Sequence, residues 1–233
     1  RRRIRGDEPE HVDAGDPGLQ RSAVGNVDGS ARCPGTGGLQ CGNGGCDLIG
    51  VAHGAPIAIA FAARHPERVR KLVLVNSFAS GWRVRQDPEE MAWRNSLMEM
   101  NQREWAFRRS LLGVMFLTLY FPGADQEIID WHNQHFPEFG PVPRLEAMIQ
   151  LAADIDVRHE LKDIRAETLV CHSKQDGNAP HAAGKAVAES IEGARFVELE
   201  RPNNILLQFE PAWLVLVREM RAFLAAARDK VAA

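Results

Sequence analysis

The pentapeptide Gly50-Val51-Ala52-His53-Gly54 joins an apolar run to a helix of small residues. A sharp strand-to-helix turn of this kind usually carries a nucleophile, held clear of the backbone to attack a carbonyl. Here the middle residue is alanine, which has no atom that can attack. His53 could be read as a nucleophile or base, but its side chain reads better as pocket lining. Ser77 and Ser80 follow a strand end, where the rim of a site lies; off the sharp turn they read as loop residues. Asp176 stands on a loop after a strand and, by its surroundings alone, is a turn or helix-cap residue. His181 follows the same loop and could swing toward Asp176, but reads better as a solvated histidine at a helix start. Cys33, Cys41 and Cys46 lack paired C-x-x-C spacing, so unstructured thiols are preferred to a zinc site. Cys171 lies in an apolar strand and reads as an inert core thiol. The segment CPGTGGLQCGNGGC has neither G-x-x-x-x-G-K-S/T nor G-x-G-x-x-G spacing, and no readable strand precedes it, which argues against a phosphate loop.

The elements that must position these residues begin at Asp47. Asp47–Val51 predicts a short strand, Ala55–Arg64 a helix suited to close packing, and Lys71–Asn76 a second buried strand. His65-Pro66-Glu67-Arg68 ends the helix, because proline cannot continue the backbone ladder. Strand, helix and strand at this spacing form a right-handed parallel unit. Residues 82–157 then read as helices only. Asp87-Pro88-Glu89-Glu90 is a helix start, with proline at the first position and acidic residues in the first turn. Further helical runs cover Glu104–Phe121, Gln126–Phe136 and Val142–Ala153. Strand patterns return at Thr168–His172 and Arg195–Glu198, around a helix near Ala182–Ile191, and an amphipathic helix follows from about Pro211 to Ala226. The order is an α/β sheet interrupted by an all-helical insertion. Trp82, Trp93, Trp105 and Trp131, four of the five tryptophans, fall in that insertion. Most of them are expected to pack the insertion itself, the rest to line a pocket.

Residues 1–46 are unlike the rest. They hold more than half of the 20 glycines, no aromatic residue and no 2 or 3.6 period. They are expected to be disordered or the product of a shifted reading frame: read one base later, the codons allowed by Asn26 to Gly37 permit an amphipathic helix. The whole chain of 233 residues carries a formal net charge of −3 and a pI near 6.3. No global attraction to nucleic acid or to an anionic membrane is expected. The apolar run Leu111 to Phe121 is too short to span a bilayer. The basic N-terminus has no apolar run behind it and is not a signal peptide, so the cytoplasm is the default.

From residue 47 to 229 the chain resembles the α/β-hydrolase superfamily, in particular lid-bearing esterase-like modules found beside bacterial adenylate cyclase or LuxR-type regulatory domains. The resemblance rests on GVAHG, AARHPERVRKLVLVN, FASGWRVR, DWHNQ, TLVCHSKQDGNAP and EPAW taken jointly. It implies a parallel sheet with helices on both faces, a core of 47–81 with 158–229, a helical cap over 82–157, and N-terminal strands that are missing or unreadable here. In the family's G-x-S-x-G turn, Gly50 and Gly54 match the glycines, both needed for tight packing, and Ala52 holds the nucleophile position. His172, Asp176 and Pro180 match an H-x-x-x-D-x-x-x-P run, which puts Asp176 in the acid position. Asn204 of the Asn203-Asn204 pair stands where the base histidine belongs, and an amide cannot shuttle a proton. His53 supplies one oxyanion amide; the second belongs on a loop within 1–46, where nothing is recognisable.

One of three triad members therefore survives. Loss of serine or histidine alone costs such a triad about 10⁶ in turnover. The expected protein is an α/β-hydrolase-fold chain, related to ester hydrolases but impaired, with no cofactor and no metal. Each change, Ser to Ala and His to Asn, is a single base away from the family residue. Two alternatives stay open: a non-catalytic module that holds a small apolar ester-like or acyl ligand, and an active serine hydrolase recorded with sequence errors. Oligomeric state is unreadable.

Overall fold

The computed structural model describes residues 45–103, 117, 119–135, 138, 142–201, 203–208 and 210–226. Of the segment 1–46, residues 1–44, with their metal, phosphate-loop, reading-frame and disorder expectations, lie outside these residues, as does the helix expected over Glu104–Phe121 up to residue 116. Cys46, expected to be an unstructured thiol, instead opens a strand, its N–H donating to the Arg68 carbonyl at 2.8 Å.

Among the described residues four strands form one parallel sheet in the order β1 (Cys46–Val51), β2 (Val69–Val75), β3 (Glu167–Ser173), β4 (Arg195–Leu199). β2 and β3 read as continuous apolar runs because both of their faces are covered, the usual state of a parallel strand. Side chains alternate between two cores. Leu72, Leu74 and Val170 face Ile59 and Ala62 of α1 (Gly54–Arg64) and Val187 of the helix His181–Ser190. Val73, Val75, Leu169 and Cys171 face Ala212 and Leu216 of the helix Pro211–Ala225. Cys171 is fully buried, and burial pushes its thiol up to about 12, as an inert core thiol requires.

Every described regular element between Trp82 and Asp154 is helical: α2 (Trp82–Arg85), α3 (Pro88–Arg103), α4 (Gln126–His135) and α5 (Val142–Asp154). The Glu90 N–H donates to Asp87 Oδ1 at 2.7 Å, so Asp87 caps α3 as its sequence predicts. The four-residue α2 and the 3₁₀ helix Arg158–Asp163 carry no period long enough to be read in sequence. The helices from His181 to Ser190 and from Pro211 to Ala225 are α6 and α7. No described helix is long and apolar enough to cross a membrane.

The helical segment leaves and rejoins the sheet at one place. The Gly81 N–H donates to the Ile155 carbonyl at 2.7 Å and the Val157 N–H to that of Ala79 at 2.8 Å, around a Ser80–Asp156 bridge. Gly81 has to be glycine, because a Cβ there would stand 2.1 Å from the Ala153 carbonyl oxygen. Ser80 thus takes part in this junction, as a loop role implies.

Lys71 is an exception among the apolar residues of β2. It is 1% exposed, and its Nζ donates to the carbonyls of Phe223 and Ala226 at 2.5 and 2.6 Å. Those carbonyls belong to the end of α7, where helix geometry leaves acceptors unsatisfied and a cation is favoured. Lys71→Met is therefore expected to cost about 1–2 kcal/mol, mostly from the unpaired carbonyls. The check is a lower urea midpoint at unchanged m-value, with early hydrogen exchange at 222–226.

Candidate functional site

The predicted site residues gather at the carboxyl ends of the strands, where open parallel sheets place their ligands. β1 ends at Val51 and α1 begins at Gly54, so the chain reverses in two residues. Ala52 takes φ +47°, the left-handed region, which costs an L-residue about 1–2 kcal/mol. Its N–H donates to the Val75 carbonyl at 2.9 Å, and its own carbonyl accepts from Ala55 at 3.0 Å. Gly50 is required here: a Cβ would come within 2.8 Å of Ala55 Cα and Ala58 Cβ, where helix and strand nearly touch. Gly54 differs from its sequence expectation. A Cβ on it would meet nothing within 4 Å among the described residues, since at the helix start it points away from the strand.

Asp176 lies on the loop after β3 and is buried. Its Oδ1 accepts the N–H groups of Asn178 and Ala179 at 2.8 and 3.0 Å, and its Oδ2 accepts Asn204 Nδ2 at 2.7 Å. Burial pushes the carboxyl up to about 6. The bonds from Ala179, Asn204 and Asn178, with the charge of Arg94, hold it from rising further. Asn204 has no exposed surface, and its Oδ1 has no partner among the described residues. It spends its donor on the carboxylate and leaves its acceptor idle. His172 Nε2 donates to the Ala179 carbonyl at 3.0 Å and stands 3.7 Å from Asp176 Oδ2. Burial holds its ring down at about 4, so it is neutral near pH 7.

The loop bearing Asn204 is tied down by residues that sequence reasoning passed over. Asn76, at φ +48° after β2, accepts the Ser173 N–H on its Oδ1 at 2.7 Å and donates its Nδ2 to the Asn204 carbonyl. Ser173 Oγ donates to the Asn203 carbonyl at 2.9 Å. Asn203 Oδ1 accepts the Gly123 N–H at 2.9 Å, and its Nδ2 donates to Glu210. The Tyr120 carbonyl takes the N–H groups of Asn204 and Ile205 at 3.0 and 3.3 Å. Ala52 and Asn204 are thus anchored to adjacent residues at the end of β2, Val75 and Asn76. An asparagine ending an apolar strand and the chain's single tyrosine were the only sequence signals of this network.

His53 turns its Nδ1 to the Tyr120 hydroxyl at 3.0 Å and sets its ring edge-on to Phe78. Burial first, and Arg94 second, lower its imidazole to about 4. Burial raises the Tyr120 hydroxyl above its usual range. His181 begins α6 and meets Glu198 Oε1 at 3.1 Å, not Asp176. Ser77 is buried off the turn, with no hydrogen-bond partner for its Oγ among the described residues. No group of three or more His, Cys, Asp or Glu suited to a metal ion occurs among the described residues.

The comparisons with known proteins agree with this architecture. A solved hydrolase from Pseudomonas aeruginosa PA01 superposes with a TM-score of 0.62 at 22% identity, over 79% of this chain and 66% of that one. MGS-M2, an alpha/beta hydrolase enzyme from a Medee basin deep-sea metagenome library, gives 0.57 at 21% identity, over 82% and 69%. The chain has the α/β-hydrolase fold. In sequence, a pyrrolizixenacetamide deacetylase of Xenorhabdus hominickii is 27% identical over 176 residues, 74% of this chain and 64% of that protein. Its homologues and structural neighbours are α/β-hydrolase superfamily members, esterases and hydrolases among them. No protein-family profile matches the chain. The hydrolase fold here spans just under two thirds of the length of the deacetylase.

Proposed function

We propose that this chain is a catalytically impaired relative of the ester hydrolases, of the lid-bearing esterase-like type found beside bacterial regulatory domains. Ala52 occupies the nucleophile position, Asp176 the acid position, Asn204 the base position and His53 the oxyanion amide position. The observation that carries the reading is the Asn204 Nδ2 bond to Asp176 Oδ2. In a working triad that carboxylate orients an imidazole which takes the nucleophile's proton. Here it holds an amide, which has no basicity to offer, and Ala52 on the turn has no proton to give. Residues 82–157 act as the lid, and the protein works in the cytoplasm. The test is hydrolysis of 4-nitrophenyl acetate and butyrate, with labelling by a fluorophosphonate probe. Rates no higher than a heat-denatured control and no covalent adduct are expected. Burst kinetics or a labelled protein would overturn the reading.

A second reading, a module that binds without turnover, is favoured by the space beside the site. A groove of about 690 Å³ runs past Asp176, Pro180 and Leu161 to Arg85 and Trp93. A smaller apolar cavity lies at His53, Phe78 and Trp82. A small apolar ester-like or acyl ligand suits these walls, with a few polar groups to orient it.

A further inference from the structure

The cavity beside His53 is walled mainly by Phe78, Trp82, Trp93, Leu97 and Met98, yet it holds an unbalanced charge. Arg85 and Arg94 share one carboxylate. Arg85 Nε and Nη2 donate to Glu90 Oε2 and Oε1 at 3.1 and 2.6 Å, and Arg94 Nε donates to Glu90 Oε1 at 2.9 Å. All three side chains are largely buried. Among the described residues no other carboxylate lies within ion-pair distance of either guanidinium, so the cluster itself carries one net positive charge. The Asp176 carboxyl feels the charge of Arg94 from beyond that distance and offsets the excess without pairing with it. A buried guanidinium without a carboxylate of its own makes a matching anion valuable.

Hydrogen-bond donors converge on the same place. Arg94 places its Nη2 on the Asn178 carbonyl at 2.6 Å, while its Nη1 has no acceptor among the described residues. Asn178 is 8% exposed and lines the cavity; its buried Nδ2 makes no close hydrogen bond and acts on the Tyr120 hydroxyl only at longer range. With the Tyr120 phenol donating to His53 Nδ1, the ring proton of His53 falls on Nε2, a third donor on the cavity wall. The cavity measures about 30 Å³, roughly twice what one water needs, which is room for a group of two or three heavy atoms. Arg85 and Trp93 also line the larger groove, where the body of a ligand has space.

We infer that this cavity recognises a carboxylate, with Arg94 and Asn178 as its binding residues, and that the site takes small apolar molecules ending in a carboxylate. Guanidinium and amide donors match the oxygens of that group, and an arginine in apolar surroundings binds it as a charge-assisted pair. Trp93, which lines both spaces, is placed to meet the apolar remainder. The inference rests on reading this region as a ligand site; it does not depend on turnover.

The test is isothermal titration of the full chain with 3-phenylpropionate and with its neutral isostere 3-phenylpropionamide. The carboxylate is expected to bind at least tenfold tighter than the amide in the native protein, a comparison that needs no variant. Arg94→Met leaves Glu90 paired with Arg85, so the cluster stays balanced. It should bind the two compounds with about equal affinity. Equal affinities in the native protein, or an undiminished preference in Arg94→Met, would overturn the carboxylate assignment and leave a ligand site standing. If neither compound binds the folded protein, the ligand-site reading falls with it.

Discussion

A chain carrying Ala52→Ser and Asn204→His together is expected to remain a poor esterase. Both changes fit locally. Ala52 already holds the left-handed turn that would present a hydroxyl, and the Asp176 carboxylate already receives a donor from residue 204. The shortfall lies in the oxyanion hole. The His53 N–H stands at the start of α1, where a helix leaves its first amides unbonded, and no carbonyl of the described residues accepts it. A second donor belongs on a loop that follows a strand earlier than β1, and the sequence ahead of β1 offers no recognisable strand pattern to carry one. A hole short of one donor loses about 10²–10³ in turnover. Steady-state hydrolysis of 4-nitrophenyl acetate by the double variant should fall short of a complete site by about that factor. Turnover at the usual enzyme level, about 10 per second, would show that the second donor is present.

Asp176→Asn is expected to stabilise the protein above pH 6 and to change little at pH 4. The native carboxyl titrates at about 6, above its ordinary 3.8, because burial penalises its charge. The folded state therefore binds more protons than the unfolded state between those values, and stability falls as pH rises through that window. Two units correspond to about 3 kcal/mol lost by neutral pH, and about 1–3 kcal/mol should be recovered by the neutral side chain. An asparagine at 176 can keep the Asn178 and Ala179 bonds on its oxygen. Its amide then faces Asn204, and a flip of Asn204 turns the idle Oδ1 toward it; the orphan at 204 becomes the amide nitrogen instead of the oxygen, so the number of orphans is unchanged. His53 and His172, both held near 4, titrate alike in the two proteins and largely drop out of the difference. Urea denaturation at pH 4 and pH 8 checks this. Equal or lower stability of the variant at pH 8 would show that Asp176 is worth more charged than its burial costs.

Much of the arrangement was readable along the chain because it depends on local patterns. Apolar runs marked β1, β2 and β3 to within two residues, and β2 and β3, buried on both faces, need continuous apolar sequence. Asp87 and Pro88 marked the start of α3, because a cap acts on amides two or three residues away. The glycine before Ala52, and the absence of a hydroxyl or an imidazole at 52 and 204, are properties of single positions. They required no fold, only a resemblance to say which positions to inspect.

The rest depended on contacts between residues far apart in sequence, which no periodicity records. Asn76 reaches Asn204 across 128 positions, and Arg94 reaches the Asn178 carbonyl across 84. The role of Lys71 arises only where α7 brings its last carbonyls over it. His53 read as pocket lining; its partnership with Tyr120 arises only where the helical segment meets the sheet. Residue type alone determined what this site lacks, because an alanine or an asparagine has the same chemistry in any fold. Tertiary structure decided what the remaining groups do, because hydrogen bonds, burial and the charge on Asp176 depend on distances that only the folded chain sets.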